Sequence, residues 1–297
     1  MIISEIQYII GRKANVGQVL APVEKIDRLQ NKCHWYGKVL RMIDITSAAN
    51  PRYKTIKALS QKKERLKRDE FTVEGIKSVK DAIKAGADID RIAVSETFYD
   101  TNEFDYPNGV HILRVQDHLF DKLSDTETPQ GIMAVIKMKN TSGFEIDPKK
   151  DYVYCDNVKD PGNLGTIIRT ADAAGLGAVL LSPGCVDLYN PKTVRSSMGS
   201  FFSIDIIRNV SYDVLKKCKE EKFSLIGGAL TENTIDYRQA NYTEPCIIVV
   251  GNEANGMSQE ALDLCETVKI PILGGAESLN VSVAAGILIY EIIRNRT

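Results

Sequence analysis

Six apolar runs in the second half of the chain restrict its fold most. They are YVYCD from Tyr152, AVLLS from Ala178, FFSIDII from Phe201, FSLIGGAL from Phe223, CIIVVG from Cys246 and TVKIPI from Thr267. Helix-like stretches separate them. A strand that is apolar on both faces must be covered on both, so such strands alternating with helices predict a parallel sheet between two helical layers. The last segment, SLNVSVAAGILIYEIIRNR, is apolar almost all round. It is expected as a helix that is buried or faces a second subunit.

Upstream, from about Asn50 to about Met138, the pattern is that of a smaller α/β region. RYKTIKALSQKKERLKRD reads as one helix, EFTVEG as a strand, IKSVKDAIKAG as a helix, IDRIAVS and VHILRV as strands, DHLFDKLS as a helix and GIMAVIKM as a strand. KNTSGFEIDPKKD, rich in Gly, Pro, Ser and charge, has the composition of a linker. Residues 1–41 carry only a weak pattern and are expected to be poorly ordered or loosely attached helix. The division is therefore 1–41 an unassigned extension, 42–139 a first α/β domain, 140–150 a linker and 151–297 a second domain.

Composition closes off several classes of function. With 297 residues, 43% hydrophobic and 26% charged, the chain can bury a large core, and its net charge of −1 gives no global case for binding nucleic acid or membrane. The six cysteines (Cys33, Cys155, Cys185, Cys218, Cys246, Cys265) form no C-x-x-C pair, and His34, His111 and His118 do not join them at ligand spacing. Reduced thiols in a cytoplasmic protein are expected, with no disulfide frame and no metal. The N-terminus lacks the pattern of a secretory signal, and the apolar C-terminal stretch is too short for the ~20 residues of a membrane span. No internal repeat is visible.

Charge is unevenly placed. The first helical run concentrates Arg52, Lys54, Lys57, Lys62, Lys63, Arg65, Lys67 and Arg68 against a single acid, Glu64. Such a segment reads equally well as a polyanion contact or as a solvated helix face. Its few aromatic residues, Tyr53 and Phe71, give little support for base stacking.

No phosphate-binding G-x-x-x-x-G-K-[ST] loop occurs, and GLGAVLL lacks the third glycine of a dinucleotide site. Instead, three loop clusters follow predicted strands: DNVKDPGNLGTIIRTADAAG, VVGNEANGMS and IPILGGAESLNVSVAAG. Ligands in open α/β sheets bind beyond the carboxyl ends of strands. The three loops could therefore line one crevice, bringing Asn163, Arg169, Asn252, Glu253, Ser278 and Asn280 together among small residues that let backbone approach a ligand.

Taken in order, NLGTIIRTADAAG, GNEANG and IPI…SLNVSVAAG resemble the three signature motifs of SpoU-type (TrmH-like) RNA 2′-O-ribose methyltransferases of the SPOUT superfamily. The likeness covers about Asp151 to Thr297. FTVEGIKSVKDAI and SDTETPQGIMAVI resemble the substrate-binding domain often joined to this family, which has a ribosomal-protein-like α/β fold. Met42 stands where a typical member begins. The resemblance implies a parallel-sheet domain with a deep trefoil knot, bound S-adenosylmethionine, an RNA substrate (ribosomal rather than transfer RNA, given the added domain) and a homodimer with no metal.

It also implies roles. Arg169 matches the motif arginine; a guanidinium with a pKa above ~12 is a poor base, so it is expected to stabilise the developing 2′-oxyanion and hold a neighbouring phosphate. Asn163 would orient the ribose or Arg169, or serve as a helix N-cap. Glu253 would orient loop and substrate groups, and Ser278 and Asn280 would order the third loop while capping the last helix. Gly251, Ile270 and Leu279, with Asn252 and Thr231, match cofactor-gripping positions. Arg52, Lys54, Lys62, Lys63, Arg65 and Arg195 would contact RNA. A non-catalytic RNA-binding protein of the same fold, a transfer-RNA enzyme and an unrelated small-molecule enzyme remain open at this point.

Overall fold

The computed structural model describes residues 41–296. The expectations for residues 1–40, with Cys33 and His34, lie outside the described residues. Arg41, placed with the extension in the sequence reading, opens a strand. Among the described residues there are two sheets.

The first sheet has the order β1-β4-β3-β5-β2, with β1 Arg41–Ile45, β2 Glu70–Glu74, β3 Ile89–Ser95, β4 His111–Val115 and β5 Ile132–Lys137. β1, β4 and β3 run parallel, and β5 pairs antiparallel with β3 and β2. Its helices are α1 Pro51–Ala58, α2 Lys62–Arg68, α3 Ile76–Lys84, α4 Glu96–Thr101 and α5 Asp117–Phe120. The single basic helix expected from sequence is two. Asn50 caps α1 by accepting from the Arg52 N–H, and Pro51 opens it. The chain then turns through Leu59–Gln61, where the Arg65 guanidinium binds the carbonyls of Leu59 and Ser60 at 2.8 and 2.7 Å.

The second sheet is parallel throughout, in the order β10-β12-β9-β11-β6-β7-β8. Its strands are β6 Tyr152–Cys155, β7 Ala178–Leu181, β8 Asp205–Ile207, β9 Ser224–Gly228, β10 Ile235–Asp236, β11 Cys246–Val250 and β12 Glu266–Lys269. FFSIDII is not one strand: Ser200–Phe202 form a 3-10 turn, and only Asp205–Ile207 join the sheet. The helices are α6 Pro161–Ala173, α7 Pro191–Ser196, α8 Tyr212–Glu220, α9 Gln259–Leu262 and α10 Val281–Arg296. Every residue of β6, β7 and β11 is buried, as strands covered on both faces must be.

Strand order reverses between β6 and β11: β7 and β8 lie to one side, β9 and β12 to the other. A crevice opens at such a switch point beyond the strand ends. The three glycine-bearing loops leave the carboxyl ends of β6, β11 and β12. The two sheets also share apolar contacts, with Phe71 of β2 4.7 Å from Tyr189 and 5.4 Å from Phe201 between ring centres. Among the described residues no helix is long and apolar enough to cross a membrane.

Candidate active site

The site starts from the way α6 begins. Asp-Pro is a strong start signal, because the aspartate accepts from a free N–H and proline needs none. Asp160 is the N-cap, accepting from the Asn163 N–H at 2.8 Å, and Pro161 follows. Asn163 is therefore the third residue of the helix, not its cap, which leaves its side chain for other work. The Asn163 N–H, together with Lys192, whose ammonium lies 3.3 Å away, holds the Asp160 carboxyl below the usual range against the opposing effect of burial.

Glu253 reaches this helix start from the loop after β11. One carboxylate oxygen accepts from the Asp160 N–H and from Asn163 Nδ2, each at 3.0 Å; the other accepts from the Lys159 N–H at 3.0 Å. Burial pushes the Glu253 carboxyl up, but the bonds from Asn163, Lys159 and Asp160 outweigh it and hold it below the usual carboxylate value. Asn163 Oδ1 accepts in turn from Asn280 Nδ2 at 2.9 Å. Asn280 Oδ1 accepts from the N–H and hydroxyl of Ser282, at 2.9 and 2.6 Å, at the start of α10. One relay of side chains, Glu253–Asn163–Asn280, thus joins the three loops.

Beneath it lies a second support, built on Asp156, a residue not among those expected from sequence. Asp156, fully buried at the end of β6, accepts from the Tyr212 hydroxyl at 2.7 Å, the Ser258 N–H at 2.7 Å and Asn157 Nδ2 at 3.1 Å. Asn252 Oδ1 closes the 252–256 turn by accepting from the N–H groups of Ala254 and Asn255, and its Nδ2 donates to the Asn157 carbonyl. At Gly251 a Cβ would collide with the backbone of Gly256 and Met257, so no other residue fits. A carboxylate directly after a wholly apolar strand was the available signal for Asp156.

The remaining expected residues divide. Arg169 is exposed on α6 and makes no ion pair or hydrogen bond among the described residues. Six residues of α-helix set it about 9 Å along the axis from Asn163 and on another face. Ser278 is exposed and takes no part in the relay. Ile270 is half-buried against the core, and Leu279 is 36% exposed. The exposed Thr231 bonds through its hydroxyl to Thr267 at 2.8 Å. Arg52, Lys54, Lys62 and Lys63 are exposed. Arg195, half-buried on α7, lines a cleft shared with Lys57 of α1. Arg65 departs from the expectation of an RNA contact: it is 3% exposed and its guanidinium binds Asp187 at 2.6 Å. Its charge is spent inside the molecule.

Residues 150–290 match the family model described as SpoU rRNA Methylase family, and residues 50–134 match the MRM3-like substrate binding domain. A 23S rRNA (guanosine(2553)-2′-O)-methyltransferase of Bacillus subtilis is 37% identical over 252 residues, covering 84% of this chain and 99% of that relative. The chain belongs to the SpoU rRNA methylase family. A human relative, mitochondrial rRNA methyltransferase 3, is 30% identical over 285 residues, covering 76% of this SpoU-family chain and 68% of its own length. The crystal structure of an AdoMet-bound rRNA methyltransferase from Sinorhizobium meliloti superimposes with a TM-score of 0.77 at 31% identity, covering 86% of this chain and 99% of that one.

Proposed function

We infer that this protein transfers a methyl group from S-adenosylmethionine to a ribose 2′-hydroxyl of ribosomal RNA, in the cytoplasm. The observation that carries the reading is the Glu253–Asn163–Asn280 relay, which unites three segments far apart in sequence at the switch point of the sheet. The S-adenosylmethionine-bound relative and the ribosomal RNA enzymes among the relatives support it.

The residues present fit the cofactor. Leu230 after β9, and Ile272, Leu273 and Leu279 after β12, are 79%, 38%, 97% and 36% exposed, an apolar surface that an adenine ring would cover. Among the described residues nothing accepts a hydrogen bond from the backbone N–H groups of 272–279, and these are free to grip a ligand. Gly251, Asn252, Ile270, Leu279 and Thr231 would hold it. When bound, S-adenosylmethionine supplies an activated sulfonium methyl.

The chain's own task is to place the ribose and manage the charge on its 2′-oxygen. Asn163, with its amide held by Glu253 and Asn280, orients the ribose; Ser278 orders the loop that closes on it. Arg169 steadies the developing oxyanion and the adjacent phosphate, a role suited to a side chain that remains charged. Because Arg169 stands apart from the relay within one chain, we place it at a subunit boundary. Val283 and Tyr290, seven residues apart on one face of α10 and 51% and 49% exposed, give a homodimer an apolar face to bury. The run from β12 to α10 is read as part of a trefoil knot. Residues 42–139 form the RNA-recognition domain, ribosomal-protein-like in fold, joined by 140–150 to the methyltransferase domain of 151–297. Arg52, Lys54, Lys62 and Lys63 are its phosphate contacts, and Arg195 of the methyltransferase domain adds another.

Mapping 2′-O-methyl groups in ribosomal and transfer RNA from cells with and without the protein tests the reading. One ribosomal nucleotide should lose its methyl group when the protein is absent. An unchanged map, or well-folded protein that fails to bind S-adenosylmethionine by calorimetry, would refute it.

A further inference from the structure

Arg65 is the one cation of the basic run that turns inward, and what it grips lies in the other half of the chain. Its guanidinium bonds to the carbonyls of Leu59 and Ser60, at the corner between α1 and α2, and to the carboxylate of Asp187, 122 residues away. Both partners are largely buried, with side chains 3% and 10% exposed. An ion pair held out of water in this way is short, directional and hard to replace with solvent.

Asp187 is not an isolated anchor. It belongs to the segment between β7 and α7, and that segment is fastened to the start of the candidate active site. Val186 N–H donates to the Val158 carbonyl at 2.8 Å, Lys159 Nζ to the Gly184 carbonyl at 2.5 Å, and Asn157 N–H to the Ser182 hydroxyl at 2.9 Å. Gly184 lies so close to Asn157 that a Cβ there would overlap its amide oxygen. The next two N–H groups along this strand end, those of Lys159 and Asp160, are the ones Glu253 holds. An unbroken set of hydrogen bonds and close contacts therefore runs from the corner of the basic helices through Asp187 to Asn163.

We propose that Arg65 is a positioning residue: through Asp187 it fixes the basic helix pair against the methyl-transfer site, and so sets where an RNA held by α1 and α2 meets Asn163. The proposal rests on the function inferred above. It assigns to the pair registration of bound RNA, not affinity for it, since neither charge is available to a phosphate.

The test is Asp187→Asn in the full-length protein, with Arg65→Lys as a milder second variant that keeps a cation but loses the three-way fork. RNA and S-adenosylmethionine dissociation constants should stay within about threefold of wild type, while the single-turnover rate on a ribosomal RNA fragment falls about tenfold or more. Hydrogen exchange at the Val186 and Lys159 amides should quicken about tenfold, with that at Val153 in β6 unchanged. Lys54→Ala/Lys63→Ala should instead raise the RNA dissociation constant and leave exchange at the Val186 and Lys159 amides at the wild-type rate. The proposal is overturned by an Asp187→Asn protein with wild-type turnover, by a loss wholly explained by RNA affinity, or by exchange that rises equally at Val153. Should the asparagine variant not fold, Arg65→Lys is read by the same criteria. If wild type itself methylates no RNA, the inferred function fails, and the exchange data still decide whether Arg65 is coupled to the site.

Discussion

Removing the carboxylate of Glu253 should disable the site without unfolding the protein. In Glu253→Ala the N–H groups of Lys159 and Asp160 and the amide of Asn163 all lose their acceptor. Bonds to a charged group contribute roughly 1.5–3 kcal/mol each when sheltered. Glu253 is exposed, so solvent competition brings this to about 1 kcal/mol each, or roughly 2–3 kcal/mol for three. Spent on the placement of Asn163, 2 kcal/mol corresponds to about 30-fold in rate. Glu253→Gln is more instructive. Its remaining oxygen can still receive Asp160 and Asn163, but its NH2 group then faces the Lys159 N–H, one donor against another. About 1–1.5 kcal/mol is lost, or roughly tenfold in rate. Single-turnover methyl transfer at saturating RNA should therefore rank wild type above Gln above Ala. The double variant Glu253→Ala/Asn163→Ala should be no slower than Asn163→Ala alone, because the two residues act as one unit. Equal rates for Gln and Ala, or an Ala variant within about twofold of wild type, would refute the reasoning.

Protonation of Glu253 should have its own signature. Its folded-state pKa is depressed, so its stabilisation is fully present above the unfolded carboxylate value of ~4.3 and is lost as pH falls through the folded value. The gap in melting temperature between wild type and Glu253→Gln should stay constant from about pH 6 to 8 and narrow below about pH 4. Gly251→Ala forces a Cβ into the backbone of Gly256 and Met257 and should cost at least about 1–3 kcal/mol, read as a lowered denaturation midpoint. Asp156→Ala leaves the Ser258 N–H and the Tyr212 hydroxyl without their buried acceptor and should cost about 2–4 kcal/mol by the same measurement. Removing Lys54, Lys62 and Lys63 together should lower the slope of log affinity against log salt by about 2–3 while leaving cofactor binding intact.

Much of this molecule is legible in local sequence, because its strands are. Runs such as CIIVV and AVLL are apolar throughout, and the structure buries every residue of both. Two of the three loops are legible for the same reason, following β6 and β11; the third follows β12, whose ends, Glu266 and Lys269, are exposed, and is marked by its own glycines. What escaped depends on distant partners. Arg65 looks like its neighbours in KKERLKR; only Asp187, 122 positions later, selects it for burial. The break at Leu59–Gln61 is closed by the same guanidinium, so the helix pair reads as one helix until that partner is known. Asn163 and Arg169 sit close in sequence, yet helix geometry sends them to different faces, and no local pattern says what meets the arginine. Asp160 is a local signal, since Asp-Pro announces a helix start, and it places Asn163 inside the helix and not at its cap.

The relay has a sense as well as a shape. A carboxylate can only accept, so Glu253 obliges Asn163 to turn its NH2 group toward it, which leaves Oδ1 to receive Asn280, whose own oxygen must then face Ser282. Each amide is thereby denied its flipped alternative. Asn163 keeps one N–H and one lone pair unspent, at known positions within a fixed plane. A ribose presents a hydroxyl pair and a ring oxygen in a given chirality. For the ribose inferred as substrate, a donor and an acceptor that cannot exchange places would fix which sugar oxygen meets which group before any charge has moved.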